Sequence, residues 1–237
     1  MSMCVSGPMK ERPISFNGEM VRAILEGRKT QTRRPIYCDP DLTLVGPCHY
    51  TPKIVRDGEE IPGVERFGCF DDSGEFGALC PFGEPGDLLW VRESALVTRI
   101  ASNTVFFSYG GESEWHCVDI PSRIKGLRED RRMPNGCFKE AARIWLRIKR
   151  VWIERIQEIT EADAKAEGVL SYPHEWECMD YPYPSIAYQA TKDSEFRYTC
   201  PKQAFEDLWD SIYGKKEFAW GKNPWGWCCE FERVERD

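Results

Sequence analysis

Four cations and three hydrogen-bonding side chains are packed into Arg28-Lys29-Thr30-Gln31-Thr32-Arg33-Arg34, directly behind Gly27 and ahead of Pro35. Such a run can grip an anion or the edge of a nucleobase, because arginine offers a planar fork of donors while Thr and Gln offer both donors and acceptors. The same composition also suits a solvated edge strand whose Lys and Arg discourage sheet pairing. Position distinguishes this run from a basic tail, since it follows a helix stop inside the chain. A second group, Cys38, Cys48, His49, Cys69 and Cys80, has ligand types for zinc, but no CxxC pair is present and the spacings are not those of standard zinc modules. No metal or other cofactor is expected. His116 and His174 are isolated in sequence and give little support for a histidine-based hydrolytic centre.

The elements that must position these groups are partly readable. Pro13-Ile14-Ser15-Phe16 reads as a strand, and Asn17 caps a helix over residues 18–26. Met20 with Ile24 and Val21 with Leu25 give that helix a buried face, and Gly27 takes the C′ position. The turn Pro85-Gly86-Asp87 launches the apolar strand Leu88-Leu89-Trp90-Val91, which ends in Arg92-Glu93. Val105-Phe106-Phe107 suggests another strand, and residues 125–132 read as an exposed charged loop. From Ala142 the apolar residues alternate through Ile144, Leu146 and Ile148, the period of a half-buried strand, with Val151 and Ile153 as a second strand or a bent continuation. Thr160-Glu161-Ala162-Asp163 starts a helix that Gly168 stops, which places Glu167 on its last turn. Pro201 opens a helix with Phe205, Leu208, Trp209 and Ile212 as its apolar stripe, and a final strand puts Trp225, Trp227, Cys229 and Phe231 on one face.

These elements predict one α+β domain over residues 1–237, a small mixed β-barrel with flanking helices and loop-rich insertions near residues 36–80, 95–140 and 171–200. The 237 residues, 41% of them hydrophobic, suffice for a packed core. A net charge of -7 argues against coating a long polyanion, so any nucleic-acid contact must be local. With no export signal and no apolar run near the roughly 18 residues that span a bilayer, the expected location is the cytoplasm and the eleven cysteines are expected to be reduced thiols.

The run Gly27-Arg28-Lys29-Thr30-x-Thr32-x-Arg34, the strand Pro85-Gly86-Asp87-x-Leu89-x-Val91 and the Thr160-Glu161 helix with Glu167 resemble the ASCH domain family. Cys80-Pro81-Phe82-Gly83, Trp90-Val91-Arg92-Glu93 and Asn223-Pro224-Trp225 are similar to the larger ASCH proteins encoded by phages and prophages. The resemblance covers about half the chain. It implies a PUA-like β-barrel and binding of RNA or a nucleoside. Small bacterial members of that superfamily are amidohydrolases that remove the acyl group of N4-acetylcytidine, and their catalytic residues fall on Lys29, Thr32 and Glu167 here. In that reading Thr32 supplies the hydroxyl nucleophile, Lys29 activates it or stabilises the oxyanion, and Glu167 moves protons. A carboxylate at the negative end of a helix is disfavoured as the anion, which would raise the pKa of Glu167 towards a useful range.

Arg34 and Arg92 suit a ligand phosphate or carboxylate, and Arg28, Arg33, Trp90 and Glu93 complete the expected binding set. Plainer roles stand beside these: Thr32 as a β-branched strand residue, Glu167 as an exposed helix end and Trp90 as core. In a regular strand, Lys29 and Thr32, three apart, would point to opposite faces, so they can converge only if the chain bends after Gly27. Two functions remain open: metal-independent hydrolysis of an N4-acylated cytidine or related nucleoside, and non-catalytic reading of RNA or a modified base. A small nucleoside or single nucleobase is the expected partner, with RNA as the alternative; the sequence leaves the oligomeric state open.

Overall fold

The computed structural model describes residues 9–110, 112–175, 184–215 and 217–236. The chain opens with β1 (Glu11–Ser15), α1 (Gly18–Leu25) and β2 (Gln31–Pro35). Asn17 starts α1 by accepting the Met20 amide at 2.9 Å, and Met20, Val21, Ala23 and Ile24 are buried. Leu25 does not join that face: the helix ends there, and the side chain is 38% exposed.

Residues 36–80 are not loop-rich. They form β3 (Leu44–Tyr50), β4 (Lys53–Arg56), β5 (Glu59–Pro62), β6 (Arg66–Asp71) and β7 (Gly77–Leu79), paired as a three-stranded sheet β3-β6-β7 and a hairpin β4-β5. The hairpin turns on Asp57-Gly58, both at positive φ, the dipeptide a two-residue turn demands. Next comes β8 (Leu88–Arg92), held at its start by Asp87, whose carboxylate accepts from the amides of Lys10 and Glu84.

A second small sheet follows, β9 (Ala95–Ala101), β10 (Thr104–Tyr109), β11 (His116–Asp119) and β12 (Arg131–Arg132), in the order β11-β10-β9-β12. It has its own apolar cluster, including Val97, Val105, Phe107, Met133 and Phe138. The expected charged loop over residues 125–132 therefore closes in a short strand. The alternating strand is β13 (Trp145–Arg155), which starts three residues later than its pattern and runs on through Val151 and Ile153 with a bulge between Ile148 and Arg150.

α2 (Glu161–Ala166) is capped by Thr160, whose hydroxyl accepts the Asp163 amide at 3.1 Å. β14 (Leu170–Glu175) and β15 (Pro184–Gln189) then pair as a hairpin inside the expected third insertion. α3 (Pro201–Tyr213) buries Phe205, Leu208 and Trp209, whereas Ile212 is 40% exposed, off the buried stripe. β16 (Trp225–Val234) closes the chain.

The main sheet has the order β1-β8-β13-β16-β2, with β1 and β8 parallel and the remaining pairs antiparallel. Among the described residues its backbone ladder does not close into a barrel. The edge strands β1 and β2 are linked instead by a side-chain bond from Arg34, whose Nη2 donates to the Ser15 carbonyl at 3.0 Å. Phe16, Ile24, Leu89, Val91, Ile148, Trp209 and Phe231 fill the core beside the sheet, each large apolar side chain contributing about 1.5–3 kcal/mol. Among the described residues no helix is long and apolar enough to cross a membrane.

Candidate functional site

The chain does bend after Gly27. Gly27 has φ +75, and the amides of Arg28 and Lys29 both donate to Ala23 O, folding the segment back over the end of α1 before β2 begins at Gln31. Lys29 is thus not a strand residue, and its side chain runs into the protein, 2% exposed. Its Nζ donates to Glu167 Oε2 at 2.6 Å and to Glu167 O at 2.8 Å. Glu167 caps α2 and is 4% exposed, so it is no free helix end. Gly168 makes this approach possible. Its φ is +95, and a Cβ there would stand 3.0 Å from Lys29 Cβ and 3.1 Å from Ala23 Cβ.

Burial lowers the Lys29 pKa, the guanidinium groups of Arg34 and Arg33 lower it further, and Glu167 pulls the other way. The net direction makes the Lys29 ammonium easier to deprotonate than a lysine in water.

Along β2 the side chains alternate between two environments. Gln31 and Arg33 face α2. Arg33 is 2% exposed and donates to Glu154 Oε1 at 2.8 Å, Gln31 Oε1 at 3.1 Å and Glu167 Oε1 at 3.2 Å, while Gln31 donates to Asp163 at 2.9 Å. Arg33 is therefore bound up in the interior, away from the seam cavity wall. Arg28 is engaged as well, donating to Gly168 O at 2.7 Å and to Glu26, so it ties the end of α1 to the end of α2. On the other face of β2, Thr32 is fully buried and its Oγ1 accepts from Arg34 Nη1 at 2.9 Å. Lys29 Nζ and the Arg34 guanidinium lie 5.6 and 5.5 Å from the centre of the same Phe16 ring. Lys29, Glu167, Arg34 and Thr32 thus form one neighbourhood, in which Lys29 and Thr32 share no direct hydrogen bond.

A cavity of about 500 Å³ opens at the seam between β1 and β2, lined by Ser15, Arg34, Tyr37, Phe82, Tyr213 and Trp227 among others. That volume is within the range of small-molecule sites. Lys29, Thr32 and Glu167 are not on its wall; Thr32 lies one hydrogen bond behind Arg34. Tyr213 is a wall residue that the sequence reading omits. It lies four residues after Trp209, next on the same helical stripe, and its phenol pKa is raised by burial against the pull of Arg34.

The remaining expected binding residues lie elsewhere. Trp90 and Arg92 line a separate cavity of about 420 Å³. Glu93 is 5% exposed and held by Arg143, which donates from Nε at 2.9 Å and from Nη2 at 2.7 Å. Arg143 also grips Glu112 and lies 4.1 Å over the Tyr109 ring, so Glu93 is part of a clamp between the main sheet and the second inserted sheet.

Among the described residues no three of Cys38, Cys48, His49, Cys69 and Cys80 bring ligand atoms within 4.8 Å of one another; the one such group is Glu112, Glu114 and His116, where both carboxylates are exposed. Burial and the neighbouring Cys38 and Cys80 push the Cys69 pKa up to about 12, and all nine described cysteines are free. Comparison with protein-family models, with curated proteins and with solved structures finds no match to this chain.

Proposed function

We propose that the protein binds a nucleoside or single nucleobase in the seam cavity and hydrolyses an acyl group from it, acting as an amidohydrolase on an N4-acylated cytidine or a related modified nucleoside. The observation that carries this reading is the pairing of buried Lys29 with buried Glu167, 138 residues apart in the chain, next to Arg34 and through it to the Thr32 hydroxyl. The proposed architecture is a PUA-like barrel of the ASCH type whose last seam is closed by Arg34 rather than by a backbone ladder.

In this mechanism Arg34 leaves Thr32 Oγ1 to meet the ligand. Thr32 Oγ attacks the acyl carbon and its proton passes to neutral Lys29, while the Arg34 guanidinium holds the oxyanion. The C–N bond then breaks and the amine nitrogen takes the proton from Lys29; water attacks the acyl-threonine carbon, its proton passes through Glu167 to Thr32 Oγ as the acyl C–Oγ bond breaks, and the free acid leaves. Side chains supply the nucleophile, base and oxyanion donor, so no metal is required. The net charge of -7 favours a small ligand or one flipped base over a long polyanion.

Incubation with N4-acetylcytidine, followed by chromatography of released cytidine, tests the reading. Thr32→Val and Lys29→Met should each lower turnover by about a hundredfold or more, and turnover that is absent in the native protein or unchanged in both variants overturns the enzymatic reading. One observation favours a second reading, a binding module without chemistry: Thr32 is fully buried and its hydroxyl is already engaged by Arg34. Cytidine binding that is lost in Arg34→Ala, with no product formed, would select it.

A further inference from the structure

The cavity that holds Trp90 and Arg92 is distinct from the seam cavity, and its wall differs in charge. It is lined by Trp90, Arg92, Arg123, Lys125, Asn135 and Phe138 among others, and among the described residues no Asp or Glu lies on the wall. Arg123 is neutralised from outside the cavity by Glu140, at 2.7 and 2.5 Å from Nη2 to its two carboxylate oxygens. Arg92 and Lys125 have no carboxylate partner among the described residues. Arg92 spends only Nε, on Asn135 O at 2.8 Å, which leaves both terminal nitrogens for an anion. The loop that receives this bond is fixed: Cys137 N donates to Glu93 O, and a Cβ on Gly136 would stand 3.0 Å from Arg92 O. The guanidinium is therefore presented by a rigid support, the arrangement that suits bidentate binding of a phosphate.

The sheet register joins this cavity to the first. β1 and β8 are parallel neighbours with Pro13 opposite Trp90 and Ser15 opposite Arg92. Ile14 and Val91 are buried in the core, so Pro13, Ser15, Trp90 and Arg92 share the outer face. Pro13 and Ser15 also line the seam cavity. Paired residues of two adjacent strands thus border the two cavities: an aromatic one whose wall carries the single cation Arg34, and one with Arg92, Arg123 and Lys125 on its wall and a tryptophan at its edge.

We propose that this second cavity binds the phosphate of the ligand whose nucleoside occupies the seam cavity, so that the substrate class is a phosphorylated nucleotide or a nucleotide within a single strand, not a free nucleoside. Arg92 and Lys125 hold the phosphate, and Trp90 offers a ring for a neighbouring base. This rests on the nucleoside reading of the seam cavity.

The test titrates the full chain with cytidine, cytidine 5′-monophosphate, inorganic phosphate and a short single-stranded oligocytidylate, at low and moderate salt, by calorimetry. The nucleotide or the oligonucleotide should bind about tenfold tighter than cytidine. That gain should vanish in the Arg92→Gln, Lys125→Gln double variant while cytidine affinity and thermal melting stay unchanged. A gain already present for the monophosphate identifies a terminal phosphate as the ligand group; a gain confined to the oligonucleotide identifies a phosphodiester. Equal affinity for cytidine and both phosphorylated ligands overturns the proposal, as does a gain that survives the double variant. Inorganic phosphate binding that depends on Arg92, with no cytidine binding, overturns the joint site and the nucleoside reading together, leaving an isolated anion site.

Discussion

Two buried carboxylates, Glu167 and Glu93, are each held by a cation from a distant part of the chain, yet the two sites differ in what they can do. Glu93 is gripped by Arg143, a side chain 24% exposed that keeps its charge at any accessible pH. Glu167 is gripped by Lys29, whose side chain is wholly buried and whose pKa is lowered. An arginine clamp can hold two sheets in register but cannot take up a proton at neutral pH. A desolvated lysine gives up its proton more readily than one in water, so of two superficially similar ion pairs the one at Lys29 is the more sensitive to pH.

The largest effect that tests this contrast is on stability. Glu167→Ala leaves the Lys29 ammonium with one backbone carbonyl and removes a partner of Arg33, and it should cost about 3–5 kcal/mol in urea denaturation. Arg143→Ala should cost less, about 1.5–3 kcal/mol, because the clamp it breaks borders solvent. A loss at Arg143 equal to that at Glu167 would erase the distinction between sealed and open pairs.

The smallest effect is the most diagnostic. With the Lys29 pKa lower in the folded protein than in the unfolded chain, the unfolded chain binds more protons between that lowered value and the ordinary 10.5. Stability due to this residue therefore rises with pH through that window; the cost of the buried charge is complete below it and gone above it. Chemical denaturation from neutral to alkaline pH should show a rise for the native protein relative to Lys29→Met, and no such difference between the native protein and Arg143→Ala. Parallel curves for the native protein and Lys29→Met would mean that the lysine holds its proton as firmly as in water.

Local signals account for most of what the sequence reveals. Asn17, Gly27, Thr160 and Gly168 mark helix ends through bonds that span three or four residues, so α1 and α2 were readable, as was the delivery of Lys29 and Glu167 to helix termini. The bend that frees Lys29 from β2 is local as well: Gly27 at positive φ turns the Arg28 and Lys29 amides back to Ala23 O in the last turn of α1, as a C′ glycine does. β3 to β7 carry no readable period, because β4 and β5 are largely exposed while β3 and β6 mix buried and half-buried positions without alternation, although Asp57-Gly58 is a readable hairpin turn. Arg33 and Arg34 look interchangeable in a list of residues. Alternation along β2 sends one to an interior of carboxylates and the other to the cavity. Where Trp90, Arg92 and Glu93 stand relative to Lys29 is set by the pairing of β1 with β8, a long-range choice absent from local pattern.

The seam clasped by Arg34 has a consequence for how the sheet breathes. Where β13 meets β16, separation would break a ladder spanning ten paired positions from each strand, so those amides should be released only with the whole domain. Between β1 and β2 no ladder is present among the described residues, and the hydrogen bond that crosses the gap is the one from Arg34 to Ser15 O, so parting these edges would break no ladder. Amide exchange at β1 and β2 should therefore be faster than at β13 and β16, and the edge that opens most readily is the one bordering the seam cavity.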